Sequence, residues 1–328
     1  MRNVKHPGKF GITDWSDLRA HLFAEADNLK KAAHANVVRI FSVACNASEE
    51  EVYIFSELCD SSLQDRINKG PLCLSEVFQV ARELLIGLEA LHGRGMIHRD
   101  MKPANLLTKG RVTKLSDFGL VTDKLIDGYA SSAGYPEHLA PEVFDLGLTS
   151  TKTDVWATGV TLFRLLNGQP WYEEVRENMG IDWSNPHGAR ERIEELVTTG
   201  SFARHLRWLP HVPRKWRRFV MKALHMRPAE RYRDGSAMVT AFMRAGLPSA
   251  PSWSCVCTDA TVTWTRSRGD RNDTVVWERR SSRRHQFVAK SEPTSGSARP
   301  KVLATSGGLV SPAEAYRELA RFFGTRSK

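Results

Sequence analysis

Three short polar motifs are crowded between two apolar helical patterns in the first half of the chain. They read HRDMKPAN at 98–105, DFG at 117–119 and APE at 140–142. A helical pattern at 75–92 precedes them, and a second one begins at Asp154. Each motif alone is a weak signal. Their fixed order between two helices indicates that this stretch carries the chemistry of the protein.

Strand patterns occupy the early part of the chain. A stretch at 17–34 has apolar residues at helical spacing, and two strand-like runs, VVRIFSVAC and EVYIFSELC, follow it. The helix at 75–92 has Ser75 as its predicted N-cap and an apolar stripe along one face. Two short hydrophobic runs, at 105–108 and 112–120, flank a turn and predict a β-hairpin.

Helical patterns dominate the later part, from residue 154 to residue 248, with a polar loop expected around 173–188. Strands that come first and helices that follow predict a domain of the α+β class.

The three motifs in register resemble those of the eukaryotic-type serine/threonine protein kinase family. The resemblance implies a bilobal kinase-like fold, here with a truncated N-terminal lobe at 1–58 and a helical C-terminal lobe at 59–247. It also implies the use of ATP and Mg²⁺ and the transfer of the γ-phosphate to a hydroxyl group of a protein substrate.

Phosphoryl transfer requires groups that the first two motifs contain. A carboxylate must orient the attacking hydroxyl group, and Asp100 is the expected catalytic residue for this task. Lys102 is the second predicted catalytic residue, because it can neutralise charge on the moving phosphoryl group. Asn105 and Asp117 offer oxygen ligands of the kind that Mg²⁺ prefers, and the resemblance implies that they hold the metal.

The resemblance also implies a nucleotide site. Lys5 and Glu25 lie about as far apart as the family's phosphate-contacting lysine and helix glutamate, so we expect an ion pair; the alternative is a lysine in a frayed terminus. Ser56 would be a small gatekeeper before a hinge that faces adenine. The residues predicted to bind the nucleotide are Lys5, Glu25, Glu57, Cys59, Asn105, Leu107 and Asp117. The residues predicted to stack as a hydrophobic spine between the lobes are Leu29, Ile40, His98 and Phe118.

Two further matches are structural rather than catalytic. Glu142 and Arg231 resemble the buried ion pair of the family, in which loss of one partner strands a buried charge. Asp154 resembles the carboxylate that holds the backbone of the catalytic loop. It is also an acid at the start of a helix, where the helix dipole favours it, and both roles can coexist.

The chain departs from the family in two places. The glycine-rich loop that covers the phosphates would lie before Lys5, where only four residues are available. We favour a fragment with a late start over a diverged kinase with a degraded lid, and we expect weak nucleotide binding and slow transfer. Tyr135 stands where serine/threonine kinases usually have threonine, although Lys102 favours serine/threonine specificity. Ser131 and Ser132 are phosphorylation candidates or part of a plain loop, and the sequence favours neither interpretation.

The C-terminal part forms a basic appendage at 248–328. Residues 253–328 contain 14 Lys and Arg against 7 Asp and Glu, so they carry +7 of the formal charge of +10. Three alternating runs predict strands between the linkers LPSAPSWS and SEPTSGSARP. A capping box that begins at Ser311 predicts a terminal helix closed by Gly324. We recognise no family in this β-rich appendage.

Trp264 and Trp277 lie among the arginines of the appendage. Basic and aromatic residues together could bind an acidic protein or a nucleic acid. We favour the alternative, a half-buried basic hairpin that packs without a ligand.

Composition limits the remaining classes. Five cysteines without a CxxC pair argue against a disulfide framework and a zinc site. Cys255 and Cys257 face one side of a strand pattern, which favours packing over metal binding. No apolar run reaches the roughly 20 residues of a membrane span, so we expect a cytoplasmic protein without a membrane partner.

Two functions therefore compete. The first is an active serine/threonine protein kinase. The second is a pseudokinase or scaffold with a lidless nucleotide cleft, which binds partners through its basic appendage. A third, a small-molecule phosphotransferase, is weakened by the APE segment and its Arg231 partner, which serve protein substrates.

Overall fold

The computed structural model describes residues 2–5, 33–46, 51–117, 130–131, 134–246, 253–294 and 299–325. Of Lys5 it describes the backbone. The predictions for Glu25, Leu29, Phe118 and Ser132 lie outside these residues, as does nearly all of the helix expected at 17–34.

A three-stranded antiparallel sheet forms the N-terminal end of the fold. Its strands are β1 (Arg2–Lys5), β2 (Ile40–Asn46) and β3 (Glu51–Ser56), in the order β1-β3-β2. Lys5 pairs with Val52, so its backbone lies in the sheet and not in a frayed terminus. Strand β3 leads directly into Glu57, where the hinge is expected.

A second sheet carries the polar motifs. Its antiparallel strands are β4 (Ser61–Ser62), β5 (Leu106–Lys109) and β6 (Val112–Leu115). Gly110 makes the turn at φ +57°, which glycine adopts without steric cost. The predicted hairpin is confirmed, but its second strand ends at Leu115 and not at residue 120. It ends there because Asp117, two residues further on, has a left-handed backbone at φ 59°, which a β-strand does not accommodate.

Helices make up the C-terminal lobe. They are α1 (Leu63–Ile67), α2 (Leu74–His92), α3 (Pro141–Leu146), α4 (Thr151–Asn167), α5 (Gln169–Met179), α6 (Pro186–Thr198), α7 (Ser201–His205), α8 (Arg214–Ala223) and α9 (Gly235–Ala245). Short strands β7 (Ala130–Ser131) and β8 (Leu148–Thr149) pair beside them. Helix α4 is the centre of the lobe, because every residue from Thr153 to Asn167 is buried.

The N-terminus of α2 differs from the prediction. The helix begins at Leu74 with Cys73 at the N-cap, and Ser75 is an exposed residue of its first turn. Leu74 is 7% exposed, so its burial in the core draws it into the helix ahead of the serine. Core packing here outweighs the capping preference of serine.

The prediction of a polar loop at 173–188 is also wrong, because most of this segment is helical. Helix α5 buries Trp171, Tyr172, Val175 and Met179 along one side, and its glutamates cover the other. The spacing of these four residues is that of an amphipathic helix, and the polar residues between them form its outer side and not a loop.

A five-stranded antiparallel sheet forms the C-terminal part. Its strands are β9 (Ser254–Cys257), β10 (Thr261–Arg268), β11 (Arg271–Ser281), β12 (Arg284–Pro293) and β13 (Lys301–Thr305), followed by helix α10 (Pro312–Thr325). The prediction that SEPTSGSARP is a linker is partly wrong. Its first residue, Ser291, belongs to β12, is 1% exposed and accepts a hydrogen bond from Arg271. Ser311 accepts from the Glu314 N–H at 3.3 Å, as its capping role predicts, but α10 continues through Gly324.

The sheet packs its inner face against the helical lobe and α10. Trp264 is fully buried, and its Nε1 donates to His211 Nδ1 at 3.0 Å. Trp277 is 3% exposed, and its ring centroid lies 6.2 Å from that of Trp171. Both rings named as elements of a nucleic-acid surface are therefore core residues. No helix in the described ranges is long and apolar enough to cross a membrane.

Candidate active site

The loop after α2 is held by one buried carboxylate. Asp154 Oδ2 accepts from the His98 N–H at 2.7 Å, and its Oδ1 accepts from the Arg99 N–H at 2.8 Å. His92 Nε2 lies 2.9 Å from the same carboxylate. Burial raises the pKa of Asp154, but the His92 and His98 contacts outweigh it and hold the pKa below its usual value. The predicted role of Asp154 agrees with this geometry.

Arg99 has a left-handed backbone, at φ 68°. This conformation is unfavourable for a side chain of its size, and the bond to Asp154 holds it in place. The turn directs the next residue, Asp100, toward the interior, where it is 6% exposed.

The two predicted catalytic residues are in contact. Lys102 Nζ lies 2.7 Å from Asp100 Oδ2, and Asn105 Nδ2 donates to the same oxygen at 2.8 Å. The second oxygen, Asp100 Oδ1, is buried and has no hydrogen-bond partner among the described residues. One oxygen is thus fixed by a cation and an amide, while the other can accept a proton from a ligand.

Ser116 connects the two arms of the hairpin at this loop. Its N–H and its Oγ both donate to the Asn105 carbonyl, each at 2.9 Å. His98 Nε2 lies 3.1 Å from the Ser116 carbonyl. Asp117 follows directly, exposed and in a left-handed conformation with φ 59°. The predicted metal ligands Asn105 and Asp117 therefore lie at the same end of the hairpin.

The donor set fits a magnesium ion. Asn105 Nδ2 donates to the Asp100 carbonyl at 2.9 Å and to its carboxylate, so the amide oxygen Oδ1 is turned away from Asp100. Asp117 supplies a carboxylate. No group of three or more His, Cys, Asp and Glu in the described residues could hold a metal by itself. Two protein oxygens completed by phosphate oxygens are the usual way in which Mg²⁺ is held with a nucleotide.

The expected hinge lies between the two sheets. The side chain of Glu57 turns away from it: its Oε1 accepts from the Arg39 N–H at 2.8 Å, and Lys114 Nζ lies 2.9 Å away. Burial raises the pKa of Glu57, but these bonds outweigh it and lower the pKa overall. Burial and the Glu57 charge raise the pKa of the Cys59 thiol, which therefore stays neutral. Leu107 is half-buried in β5.

Arg231 and Glu142 form the expected ion pair. The guanidinium contacts both carboxylate oxygens, at 2.7 and 2.8 Å, and its side chain is fully buried. It also donates to the carbonyls of Lys152 and His225. The pair ties the APE segment to the helical lobe.

Tyr135 lies beside the catalytic loop without bonding to Asp100. Lys102 Nζ is 5.5 Å from the centre of its ring, and Trp183 stacks on the ring at 5.9 Å. Burial raises the pKa of Tyr135. The longer side chain therefore forms an aromatic surface in the place where the family's threonine would reach the aspartate.

The sequence did not predict a group of buried polar residues that begins beside the Tyr135 ring, at His138. His138 and Gln64 both bond to Arg164, which is buried in the last turn of α4. A charged residue in a helix buried on all sides was the available signal.

Comparisons with known proteins agree with the geometry. A model of the protein kinase domain matches residues 4–243. Mitogen-activated protein kinase kinase kinase 1 of Arabidopsis thaliana is 31% identical over 240 residues, which cover 70% of this chain and 36% of that protein. Serine/threonine-protein kinase ssp1 of Schizosaccharomyces pombe is 37% identical over 186 residues, covering 49% of this chain and 27% of that protein.

A third relative, serine/threonine-protein kinase STK11 of Gallus gallus, is 33% identical over 196 residues, covering 54% of this chain and 44% of that protein. The chain spans less than half the length of each of these relatives. The domain model, in contrast, covers well over half of this chain and includes the loop, the hairpin and the ion pair described above. The chain belongs to the eukaryotic-type serine/threonine protein kinase family.

Proposed function

We propose that this protein transfers the γ-phosphate of ATP to a serine or threonine hydroxyl of a protein substrate. The observation that carries the proposal is the geometry of Asp100. Its Oδ2 is fixed by Lys102 and Asn105, and its buried Oδ1 has no partner among the described residues. A substrate hydroxyl at Oδ1 would be oriented for attack and would have an acceptor for its proton.

Lys102 has a second role in this proposal. Its ammonium group holds Asp100 and lies beside the place where the phosphoryl group would arrive, so it favours the charge of the transition state. The ammonium group also lies 5.5 Å from the centre of the Tyr135 ring, which favours this position of the cation.

The nucleotide would lie between the two sheets. The Cys59 N–H makes no backbone hydrogen bond within the described residues and is available to adenine. Leu107 would contact the base from below, and Lys5, with Glu25 as its partner, would contact the phosphates. Asn105 and Asp117 would hold Mg²⁺, which neutralises the charge of the phosphates when it is bound.

The domain match and the kinase relatives do not support the alternative of a pseudokinase scaffold. Each residue type that transfer requires is present in the loop, and Asp100, Lys102 and Asn105 are assembled around one carboxylate. We also infer three units, at 1–58, 59–247 and 248–328. In the last, the buried Arg266 already pairs with Asp273 of the same sheet, so we assign it to packing.

The experiment measures phosphate transfer from labelled ATP with Mg²⁺ to three peptides that differ only in a Ser, Thr or Tyr acceptor. We expect transfer to Ser and Thr, none to Tyr, and loss of transfer in Asp100→Asn. Equal labelling by the wild type and Asp100→Asn, or labelling of Tyr alone, would contradict the proposal.

A further inference from the structure

Arg164 is a buried cation that has only neutral partners. It is 6% exposed and lies in the last turn of α4. Its Nη2 donates to Gln64 Oε1 at 2.6 Å and to Gln169 Oε1 at 2.7 Å, and its Nη1 lies 3.1 Å from His138 Nε2. Its Nε is buried without a hydrogen-bond partner. No carboxylate among the described residues pairs with it.

The neighbouring charges are already balanced. Arg176 Nη1 pairs with Glu137 at 3.1 Å, and Glu137 is 1% exposed. Lys102 pairs with Asp100 at 2.7 Å. Arg164 is therefore the excess cation of this region. Buried charges are normally paired, because an unpaired one loses its hydration without a compensating partner.

The surroundings of Arg164 keep this positive charge uncompensated. Burial and the adjacent guanidinium lower the pKa of His138 well below its usual value, so the imidazole is neutral. Burial raises the pKa of Tyr172 well above its usual value, so the phenol is neutral too. The centre of the Tyr172 ring lies 4.9 Å from the Arg164 guanidinium and 5.7 Å from that of Arg176, and the Tyr172 hydroxyl has no partner in the described part of the chain.

The excess charge is linked to the catalytic loop. Thr161 Oγ1 lies 3.2 Å from the Met101 carbonyl and 3.5 Å from His138 Nδ1. The other nitrogen of the His138 ring contacts Arg164. Met101 is the residue between the two proposed catalytic residues. Arg164 is thus connected to the loop through two side chains, on the side of the aromatic surface of Tyr135 and Trp183.

We propose that Arg164 binds an anionic side chain, a carboxylate or a phosphate, of the protein substrate. The inference rests on the proposed function and adds the class of substrate. Gln64 and Gln169 are half-buried, and their two amide oxygens converge on one nitrogen of the guanidinium. The two oxygens of a substrate anion can replace them there, which exchanges neutral acceptors for a charged one. The kinase should therefore prefer acidic or previously phosphorylated sequences.

The test is a set of peptides with one serine acceptor, in which Asp, phosphoserine, Asn or Lys is placed at each flanking position in turn. At one position we expect kcat/KM to be about tenfold to about a hundredfold higher for an anionic residue than for Asn. The Asp and phosphoserine peptides distinguish a carboxylate from a phosphate as the ligand. In Arg164→Gln the ratio of anionic to Asn peptide should fall to about one. Arg218→Gln, a change at an exposed arginine of α8, is the matched control and should keep the wild-type ratio.

A second variant, Gln64→Glu, keeps the inference testable if Arg164→Gln does not fold. It gives Arg164 a carboxylate within the chain, so it should raise the melting temperature and abolish the preference for anionic peptides. Wild-type transfer to the Asn peptide with no preference at any position would overturn the inference and leave the proposed function intact. An undiminished preference in Arg164→Gln or Gln64→Glu would overturn it as well. Absence of transfer to every peptide would instead contradict the proposed function.

Discussion

Two residues of the candidate site have left-handed backbones. One lies directly before Asp100, and the other is the proposed metal ligand Asp117. Arg99 at φ 68° turns the chain into Asp100, and Asp117 at φ 59° ends the hairpin. Left-handed conformations outside glycine are uncommon and are tolerated best by Asn and Asp. At this scale, the backbone is held by contacts that come from distant parts of the chain, such as that of Asp154 with Arg99.

Asp117→Asn should abolish phosphoryl transfer and leave the melting temperature nearly unchanged. The amide removes the charge that a metal ligand needs, while Asn accepts the left-handed conformation as readily as Asp. Transfer of labelled phosphate and a thermal melt, performed on the same preparation, separate the two effects. Turnover equal to that of the wild type would show that Asp117 is not a metal ligand.

The elements of the C-terminal lobe are joined by polar contacts as well as by its apolar core. Glu142 lies in α3, and Arg231 follows a short 3-10 helix 89 positions later. Their side chains form an ion pair with two hydrogen bonds. Helix α9 approaches α2 closely at Gly235, where a Cβ atom would lie 2.5 Å from the Glu89 nitrogen. These two contacts hold the APE segment and α9 in place within the helical lobe.

Arg231→Ala should reduce the free energy of unfolding by about 3 kcal/mol or more, because it leaves the Glu142 carboxylate in a largely buried place without its partner. Denaturant melts measure the change. Arg233→Ala is the matched control: its side chain is 80% exposed, so we expect a change of about 0.5 kcal/mol or less. A change within error of zero for Arg231→Ala would contradict the structural role of the pair.

Local patterns were sufficient to predict the elements of the site, whereas its surroundings depend on tertiary contacts. The hairpin that carries Asn105 and Asp117 follows from two short hydrophobic runs and a turn. The apolar spacing of α5 is present in the sequence but is interrupted by many polar residues, and the helix is evident only where Tyr172 packs against Phe163 and Trp171 against Trp277. Arg164 was missed for a related reason, since its partners come from α1, α5 and the APE region. Side chains brought together from distant segments leave no local pattern.

At the scale of the whole molecule, the five-stranded sheet and the helical lobe are joined by a buried hydrogen bond between Trp264 and His211. His211 is 3% exposed, accepts from Trp264 Nε1 through Nδ1, and has a buried Nε2 without a partner in the described ranges. Arg279 of the sheet also pairs with Glu174 of α5. We therefore expect the stability of this contact to depend on the protonation of His211.

Stability should fall as the pH drops below about 6.5, and His211 should contribute to the loss. Burial, with a smaller effect of Arg217, lowers the pKa of His211 to about 3. Between about pH 3 and about pH 6.5, His211 binds a proton in the unfolded state but not in the folded state. The free energy of unfolding therefore rises with pH in this range. The contribution is about 1.4 kcal/mol for each pH unit.

Urea melts between about pH 7 and about pH 5 test this dependence. His211→Gln keeps an acceptor for Trp264 and cannot titrate, so its stability should fall less steeply than that of the wild type. Parallel curves for the two proteins would show that His211 does not cause the loss.

The central claim is that Asp100 directs transfer from a bound nucleotide. The most direct measurement combines calorimetry of Mg-ATP binding with labelled phosphate transfer, for the wild type and for Asp100→Asn. We predict similar Mg-ATP affinities for the two proteins and transfer that is about 10² to about 10⁴ times slower in the variant, which is the usual contribution of a general base. Transfer at the same rate by both proteins would contradict the account.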